Sequence, residues 1–261
     1  MKKFLMMAVL MMAAVSASAQ SKAEPYFSFR ELPNMLKWCP APPDTVGAAF
    51  AYDIMQYMWG KQMRQNKERA DIAIRDAVYS LECIMEEFSE PLGLKMSKEE
   101  TPEIYKLLKD SKATCENISN FPKFYYKRIR PFMRFHEHTA TPQFEPDLRR
   151  NFSYPSGHTI LGWCSALLLA EINPERADTI LTRGMMYGES RVIVGAHWQS
   201  DVDAGRLAAS AVYSRMHTSD RFLEQMQLAR QEFRIKTGLA TPGEIKEFEK
   251  AAKKRAKASK K

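Results

Sequence analysis

The sequence contains little glycine, no internal repeat and, beyond its N-terminus, no long apolar run. Only 11 of its 261 residues are glycine, while helix-forming residues such as Leu, Met, Ala, Glu, Lys and Arg are common. No stretch of useful length alternates polar and apolar residues, so the sequence offers no support for a β-sheet. The chain is long enough to bury one sizeable core. We therefore expect an all-α, single-domain helical bundle.

The N-terminal apolar run, residues 1–19, has the three parts of a secretory signal peptide. Two lysines form the basic part, residues 4–15 form the apolar part, and a cleavage site of small residues ends at Ala19. The apolar part is too short to span a membrane, and no cysteine follows the cleavage site to carry a lipid anchor. We expect the mature protein to begin near Gln20, to be exported to the periplasm and to contain no integral membrane segment.

Four cysteines occur, and their spacing does not resemble that of a zinc site. In an exported protein one or two disulfides can form. Cys164 lies inside an apolar helix, which favours a buried free thiol. Among Cys39, Cys83 and Cys115, the preferred pair is Cys83 with Cys115, because both lie on predicted neighbouring helices. The sequence alone leaves the pairing open.

The net charge of +8 is concentrated at the two ends of the chain. Residues 244–261 carry a net +5, and two lysines belong to the signal peptide, which leaves a net +1 for the folded body. The basic C-terminal tail, residues 241–261, is predicted to end as a frayed, solvated helix. Electrostatic contact with a membrane surface or an envelope polyanion is the alternative. Because the body is nearly neutral, we predict no nucleic-acid partner.

Apolar residues at helical spacing predict a series of helices separated by proline, glycine and capping residues. Thr101-Pro102 and Asn173-Pro174 each place proline at a first helical position, which marks a helix start. Residues 136–151 are polar and contain two prolines, which indicates a loop. The predicted helices cover residues 44–64, 66–88, 101–113, 156–171, 174–194, 197–217 and 219–236.

A hexapeptide at residues 154–159, Tyr-Pro-Ser-Gly-His-Thr, lies where a polar segment turns into an apolar helix. Ser156 can cap this helix, and Gly157 allows a ligand to approach the backbone closely. The free N–H groups of a first helical turn and the positive end of the helix dipole form a site for an anion. His158 stands in this turn and could give a proton to a bound anion. Taken alone, the stretch fits a capped core helix equally well.

Two further regions supply groups that the hexapeptide lacks. His197 and Asp201 are four residues apart and share one face of a helix, so the carboxylate can fix the tautomer of the imidazole. Arg191 precedes this pair. Lys123 and Arg130 are seven residues apart, close to two helical turns, and are expected to face one way. Taken alone, these regions fit a surface ion pair and a solvated basic face better than a catalytic site.

Together the three regions supply what in-line phosphoryl transfer to a histidine requires. Cationic groups can neutralise the phosphate oxygens, one histidine can attack phosphorus, and the other can protonate the leaving oxygen. The pattern is Lys-(six residues)-Arg-Pro at 123–131, Pro-Ser-Gly-His at 155–158, and Ser-Arg-(five)-His-(three)-Asp at 190–201. It resembles the three-part signature of the PAP2 superfamily. Within that superfamily the chain most resembles the class A bacterial non-specific acid phosphatases.

The resemblance implies a helical bundle of the PAP2 and vanadium haloperoxidase type, and we assign residues 20–240 to it. It also implies a periplasmic acid phosphatase that hydrolyses small phosphomonoesters through a phosphohistidine, with phosphotransferase side activity. Such enzymes are often dimeric and need no metal or other cofactor. His197 would be the nucleophile, Asp201 would orient it, and His158 would be the general acid. The implied phosphate-binding groups are Lys123, Arg130, Ser156, the backbone N–H of Gly157, and Arg191.

Four alternatives stay open at this point. A vanadate-dependent haloperoxidase shares the anion pocket but is usually a longer protein. A lipid-phosphate phosphatase usually needs transmembrane helices, and a pyrophosphate phosphatase would share the same signature. A non-catalytic phosphate-binding protein would have no need of both histidines and Asp201.

One position departs from the class A signature. Phe152 stands two residues before Tyr154, where the signature usually has glycine. We therefore expect a different pocket entrance and a shifted substrate preference.

Overall fold

Every regular element in residues 22–258, the part of the chain that the computed structural model describes, is a helix. Three short 3-10 turns accompany eleven α-helices within these residues. The α-helices are α1 (Ala48–Met63), α2 (Lys67–Arg75), α3 (Leu81–Leu92), α4 (Pro102–Tyr126), α5 (Pro131–Arg134), α6 (Glu145–Arg149), α7 (Gly157–Ile172), α8 (Ala177–Ile193), α9 (Gln199–Met216), α10 (Asp220–Lys236) and α11 (Pro242–Ala258). The predicted all-α, single-domain fold is confirmed. The predicted signal peptide at 1–19 lies outside the described residues.

Helix α7 lies at the centre of the bundle, because it is apolar on nearly every side. It packs most extensively against α8 and α9, and also against α4. Glycine allows α7 and α8 to approach closely: a Cβ on Gly162 would lie 2.3 Å from the ring of Tyr187, and one on Gly184 would lie 2.5 Å from the Cβ of Ala166. This packing fixes the N-terminal end of α7 relative to the two helices that carry the other motif residues.

The prediction of one helix over residues 66–88 is wrong, because the chain breaks at residues 76–80 between α2 and α3. Asp76 is fully buried and bonds to side chains of α8, which draws the chain out of the helical path. Ser80 then caps α3 by accepting the backbone N–H three residues along, at 3.0 Å. The break produces a loop, residues 76–80, that reaches the functional site.

Lys123 and Arg130 do not share a helix, which corrects a second local prediction. Helix α4 ends at Tyr126, because Lys127 adopts a left-handed conformation with φ 47°. Arg130 is extended and is the N-cap of α5, as expected for a residue that precedes proline. The two side chains nevertheless converge, from two different elements.

The other boundaries lie close to their predicted positions where a capping side chain marks them. Ser156 caps α7 and Ser219 caps α10, each accepting a backbone N–H of the first turn. The start predicted at residue 44 is early, since α1 begins at Ala48 after Gly47. The predicted loop at 136–151 contains the short helix α6.

All four cysteines are free. The preferred disulfide between Cys83 and Cys115 is therefore wrong: the Cys83 thiol donates to the carbonyl of Arg75 at 3.3 Å. Cys115 is buried beside Cys164 between α4 and α7. Cys164 is a buried free thiol, as predicted.

The C-terminal tail forms helix α11, which contacts α10. Arg255 of α11 also forms an ion pair of 2.8 Å with Glu103 at the start of α4. Within residues 22–258 no helix is both long and apolar enough to cross a bilayer.

Candidate active site

The three motif regions meet where α4 ends and where α7 and α9 begin. The Ser156 N–H donates to the main-chain carbonyl of Asp201 at 3.0 Å, which joins the first turns of α7 and α9. The ammonium group of Lys123 donates to the carbonyls of Phe152 and Pro155 at 2.9 and 2.7 Å, which joins α4 to the hexapeptide. The fold thus brings the predicted site residues into one region.

His197 is buried and held in one tautomer. Its Nδ1 lies 3.3 Å from Oδ2 of Asp201, and its Nε2 lies 2.9 Å from Nη1 of Arg130. A guanidinium only donates hydrogen bonds, so Nε2 must accept and the proton must be on Nδ1. Nε2 therefore presents a lone pair, which is the form that a nucleophile requires.

The carboxylate of Asp201 is fully buried and surrounded by donors. Oδ2 accepts from the hydroxyl of Ser153 and from the Trp198 N–H, the latter at 2.9 Å, and Oδ1 accepts from Nη1 of Arg128 at 2.6 Å. Nη2 of Arg128 donates in turn to Asp53 at 2.6 Å. Such an outer shell fixes the carboxylate, and with it the imidazole, before a ligand binds.

Three buried cations stand close to the imidazole of His197. Burial, with repulsion from Arg130, lowers the pKa of Lys123 to about 7. Burial also lowers the pKa of Arg130 to about 9 and that of Arg191 to about 10. The protein compensates the positive charge of these three groups poorly, so an anion bound among them would be stabilised.

Arg191 is the clearest sign of a ligand. Its side chain is 1% exposed, yet Nε and Nη1 have no hydrogen-bond partner among the described residues. Buried donors without a partner are rare and costly in native proteins. The missing partner is best supplied by an anion with several acceptor oxygens, and phosphate is such an anion.

The first turn of α7 provides backbone donors for the same anion. A Cβ added to Gly157 would meet no atom of the described chain within 4 Å, so the backbone faces open space here. The first N–H groups of a helix have no partner within the helix, and the helix dipole favours negative charge at this end. The hydroxyl of Ser156 is fully buried and caps α7, accepting from the N–H and the Oγ1 of Thr159 at 3.3 and 2.9 Å.

His158 lies half-buried at the same turn. Its Nε2 is 3.1 Å from the carbonyl of Ala77 in the loop of residues 76–80. A carbonyl only accepts, so Nε2 carries a proton and Nδ1 is the nitrogen left to exchange a proton with a ligand. Burial, with repulsion from Arg191 and His197, holds the pKa of His158 well below its usual value.

Several residues of the site were missed by sequence reasoning. Ser153, Arg128 and Asp53 support Asp201, and the loop of residues 76–80 supports His158. Arg128 was visible as one of several basic residues near Arg130, but nothing in the sequence distinguishes it from its exposed neighbours. Asp53 lies on α1, and its partner is far away in the sequence.

This fold and site define a class of helical proteins that bind a phosphate-like anion where several helix ends meet. The sequence profile of the PAP2 superfamily matches residues 111–221. The chain is 41% identical to a non-specific acid phosphatase of Providencia stuartii over 201 residues, 77% of this chain and 81% of that protein. It is 37% identical to a non-specific acid phosphatase of Salmonella typhimurium, over 91% of this chain and 94% of that protein.

An acid phosphatase of Zymomonas mobilis is 31% identical to the chain, over 89% of this chain and 88% of that protein. The chain therefore belongs to the PAP2 superfamily and, within it, to the bacterial non-specific acid phosphatases, which confirms the predicted family. It is a phosphatase.

Proposed function

We propose that this acid phosphatase forms a phosphohistidine on His197 and hydrolyses it in a second step. The observation that carries the proposal is the state of the His197 ring. Its Nδ1 faces Asp201 at 3.3 Å, and its Nε2 lone pair faces the cluster of buried cations. A ring in this state can attack an electrophilic phosphorus atom without first losing a proton.

In the first step, Nε2 of His197 attacks phosphorus and the bond from phosphorus to the ester oxygen breaks. His158 gives the proton on Nδ1 to the leaving oxygen, so an alcohol departs. Arg130, Arg191 and Lys123 hold the non-bridging oxygens as charge develops on them. Asp201 stabilises the positive charge that the His197 ring acquires.

In the second step, a water molecule attacks the phosphohistidine. His158, now neutral, accepts a proton from this water through Nδ1, and the bond from phosphorus to Nε2 breaks to release inorganic phosphate. An alcohol in the place of water would accept the phosphoryl group, which accounts for the proposed phosphotransferase side activity.

The charges of the site support a preference for acid pH. Burial lowers the pKa of Lys123 to about 7, and burial next to other cations keeps His158 neutral to low pH. A bound phosphate ester adds negative charge, which offsets the repulsion and returns a proton to His158. Both the binding cation and the general acid are therefore in their active forms below neutral pH.

Export to the periplasm belongs to the same proposal and depends on residues 1–19, which lie outside the described part of the chain. Sequencing the N-terminus of the exported protein should show Gln20 or a neighbouring residue. The homodimer also stays a prediction, which light scattering on the purified enzyme can test.

Rapid quenching with a radiolabelled phosphomonoester tests the phosphohistidine. The wild type, with EDTA present, should trap a phosphoenzyme that is stable in alkali and labile in acid, as expected for phosphorus bound to nitrogen. His197→Ala should form none and should lose at least about 10³-fold in kcat. His138→Ala is the matched control, because His138 also pairs with a carboxylate, Glu145, at 3.3 Å but lies on the surface. Equal turnover by wild type and His197→Ala would contradict the proposal.

A further inference from the structure

The loop of residues 76–80 belongs to none of the three motif regions, yet it makes two contacts with His158. Besides the hydrogen bond from Nε2 to the carbonyl of Ala77, the ring of Tyr79 meets the imidazole edge-to-face. The ring centroids are 4.8 Å apart, with 60° between the planes. His158 has no carboxylate partner among the described residues, so these contacts, together with its own helix, decide how the imidazole is oriented.

The loop is anchored to the helix that carries Arg191. Asp76 accepts a hydrogen bond from the hydroxyl of Ser190 at 2.6 Å and one from Nη1 of Arg183 at 3.1 Å. Ser190 directly precedes Arg191 in the sequence. These hydrogen bonds tie the loop to the side of α8 that carries Arg191.

Tyr79 is also held from α4. The ammonium group of Lys112 lies 4.7 Å from the centroid of the Tyr79 ring, and Lys112 pairs with Glu116 at 2.5 Å. Burial, with the charge of Glu116, raises the pKa of the Tyr79 hydroxyl. The tyrosine ring thus lies between Lys112 of α4 and His158, with contacts to both.

We propose that Tyr79 is a positioning residue that keeps Nε2 of His158 on the carbonyl of Ala77 and Nδ1 directed at the leaving oxygen. The proposal rests on the proposed function, in which His158 is the general acid. Asp201 plays this part for His197 through a charged hydrogen bond. His158 is oriented by a neutral carbonyl and by the edge-to-face contact with Tyr79. Because the hydrogen bond to a neutral carbonyl is weaker than one to a carboxylate, the orientation of His158 depends more on the Tyr79 ring.

The dependence of the rate on the leaving group tests this role. A good leaving group such as p-nitrophenolate needs little protonation. The glycerol oxygen of glycerol phosphate is a poor leaving group and needs a proton from the general acid as it departs. Tyr79→Ala should lower kcat/KM for glycerol phosphate by about tenfold or more, and kcat/KM for p-nitrophenyl phosphate by less than about threefold. The ratio kcat/KM reports only the step in which the alcohol leaves, whereas kcat also contains the second step, in which His158 serves both substrates alike. Tyr79→Phe keeps the ring and should stay close to the wild type on both substrates.

Tyr105→Ala is the matched control. Tyr105 borders the same surface groove as Tyr79 and has lysine ammonium groups at 5.8 and 5.9 Å from its ring, but it does not contact His158. Its truncation should leave the ratio of the two rates unchanged. An equal loss of kcat/KM on both substrates in Tyr79→Ala would show a structural role only and would overturn the proposal.

A second measurement separates this proposal from the proposed function. Nitrogen chemical shifts of the His158 ring report its tautomer without any turnover. The neutral ring should be a single Nε2–H tautomer in the wild type and in Tyr79→Phe, and a mixture in Tyr79→Ala. Unchanged shifts in Tyr79→Ala would overturn the positioning role. Full activity of His158→Ala on glycerol phosphate would instead overturn the general acid, whatever the tautomer measurement gives.

Discussion

Arg183 and Arg191 lie about two turns apart on α8 and are both buried, yet their surroundings differ completely. Arg183 donates from both Nη atoms to the carboxylate of Asp76 and from Nη2 to Glu87 at 2.9 Å. Arg191 has no carboxylate partner, and two of its nitrogens have no partner at all among the described residues. The protein satisfies the donors of Arg183, whereas Arg191 has donors left for the anion that we propose.

The pKa values of the two guanidinium groups follow the same division. Burial alone would lower both, but the hydrogen bonds and charges of Asp76 and Glu87 outweigh burial and raise the pKa of Arg183. Burial without such partners lowers the pKa of Arg191 to about 10. A buried charge that remains unpaired costs stability, so it is retained where binding or catalysis requires it. The contrast between Arg183 and Arg191 therefore supports the proposed anion site without reference to the histidines.

The largest effect is expected for Arg191→Met. Removing its donors from the non-bridging oxygens should lower kcat/KM on the order of 10³-fold. Thermal stability without an anion should be unchanged or higher, because an unpaired buried charge has been removed. Steady-state kinetics and melting curves with and without sulfate check both parts. A large loss of stability in the anion-free enzyme would mean that Arg191 is a structural residue like Arg183.

Arg183→Met is expected to show the opposite pattern. It leaves Asp76 buried and unpaired, so the free energy of unfolding should fall by about 3 kcal/mol. Sulfate should still raise the melting temperature of the variant, since the anion site is intact. The double variant with Asp76→Asn should recover part of the lost stability, because the stranded charge is gone. If the single variant is as stable as the wild type, the ion pair does not hold the loop of residues 76–80.

The sequence alone does not distinguish the roles of Arg183 and Arg191, because the carboxylate that pairs with Arg183 belongs to a residue far away in the sequence. Asp76 and Arg183 are brought together only when α2 and α3 pack against α8. The same reason explains why the break at residues 76–80 and the loop contact to His158 were missed. Features that depend on local chemistry were predictable, as Ser156 at the start of α7 shows. The contact of His197 with Asp201 was expected from one shared helix face, whereas His197 precedes α9, which begins only at Gln199.

The motif correctly predicted that Lys123 and Arg130 converge, although the helix on which both were placed does not exist. Lys123 and Arg130 were expected to converge because they were placed on one helix, whereas they come from α4 and from the N-cap of α5. Pro131 excludes a helical conformation for the residue before it, and this signal was available in the sequence. Their convergence depends on main-chain carbonyls of residues 152 and 155, which no side-chain pattern reveals.

Lys123 provides a smaller test, in which pH changes the charge of a single cation. With a pKa of about 7, Lys123 is charged below this pH and neutral above it. Sulfate keeps a constant charge, so its dissociation constant should rise about tenfold from roughly pH 5.5 to roughly pH 8.5. Lys123→Met should bind sulfate weakly throughout and lose the transition near pH 7. Calorimetry measures both, with exposed Lys67→Met as the control. A transition that persists in Lys123→Met would belong to another group.

The smallest effect is expected for Phe152→Ala. This substitution removes the ring but keeps the main-chain carbonyl that binds Lys123 and Arg130. The carbonyl of Phe152 accepts from Lys123 at 2.9 Å and from Arg130 at 3.2 Å, and it stays when the ring is removed. The ring packs edge-to-face on Phe124 with centroids 5.8 Å apart. We expect kcat for glycerol phosphate to change by less than about threefold. KM for aryl phosphates should change by a larger factor, because Phe152 stands where the family signature usually has glycine and we expect it to border the pocket entrance. Phe121→Ala, on the same exposed aromatic surface, is the control. A loss of kcat above about tenfold on both substrates would show that the ring, through its packing, holds the carbonyl on the two cations.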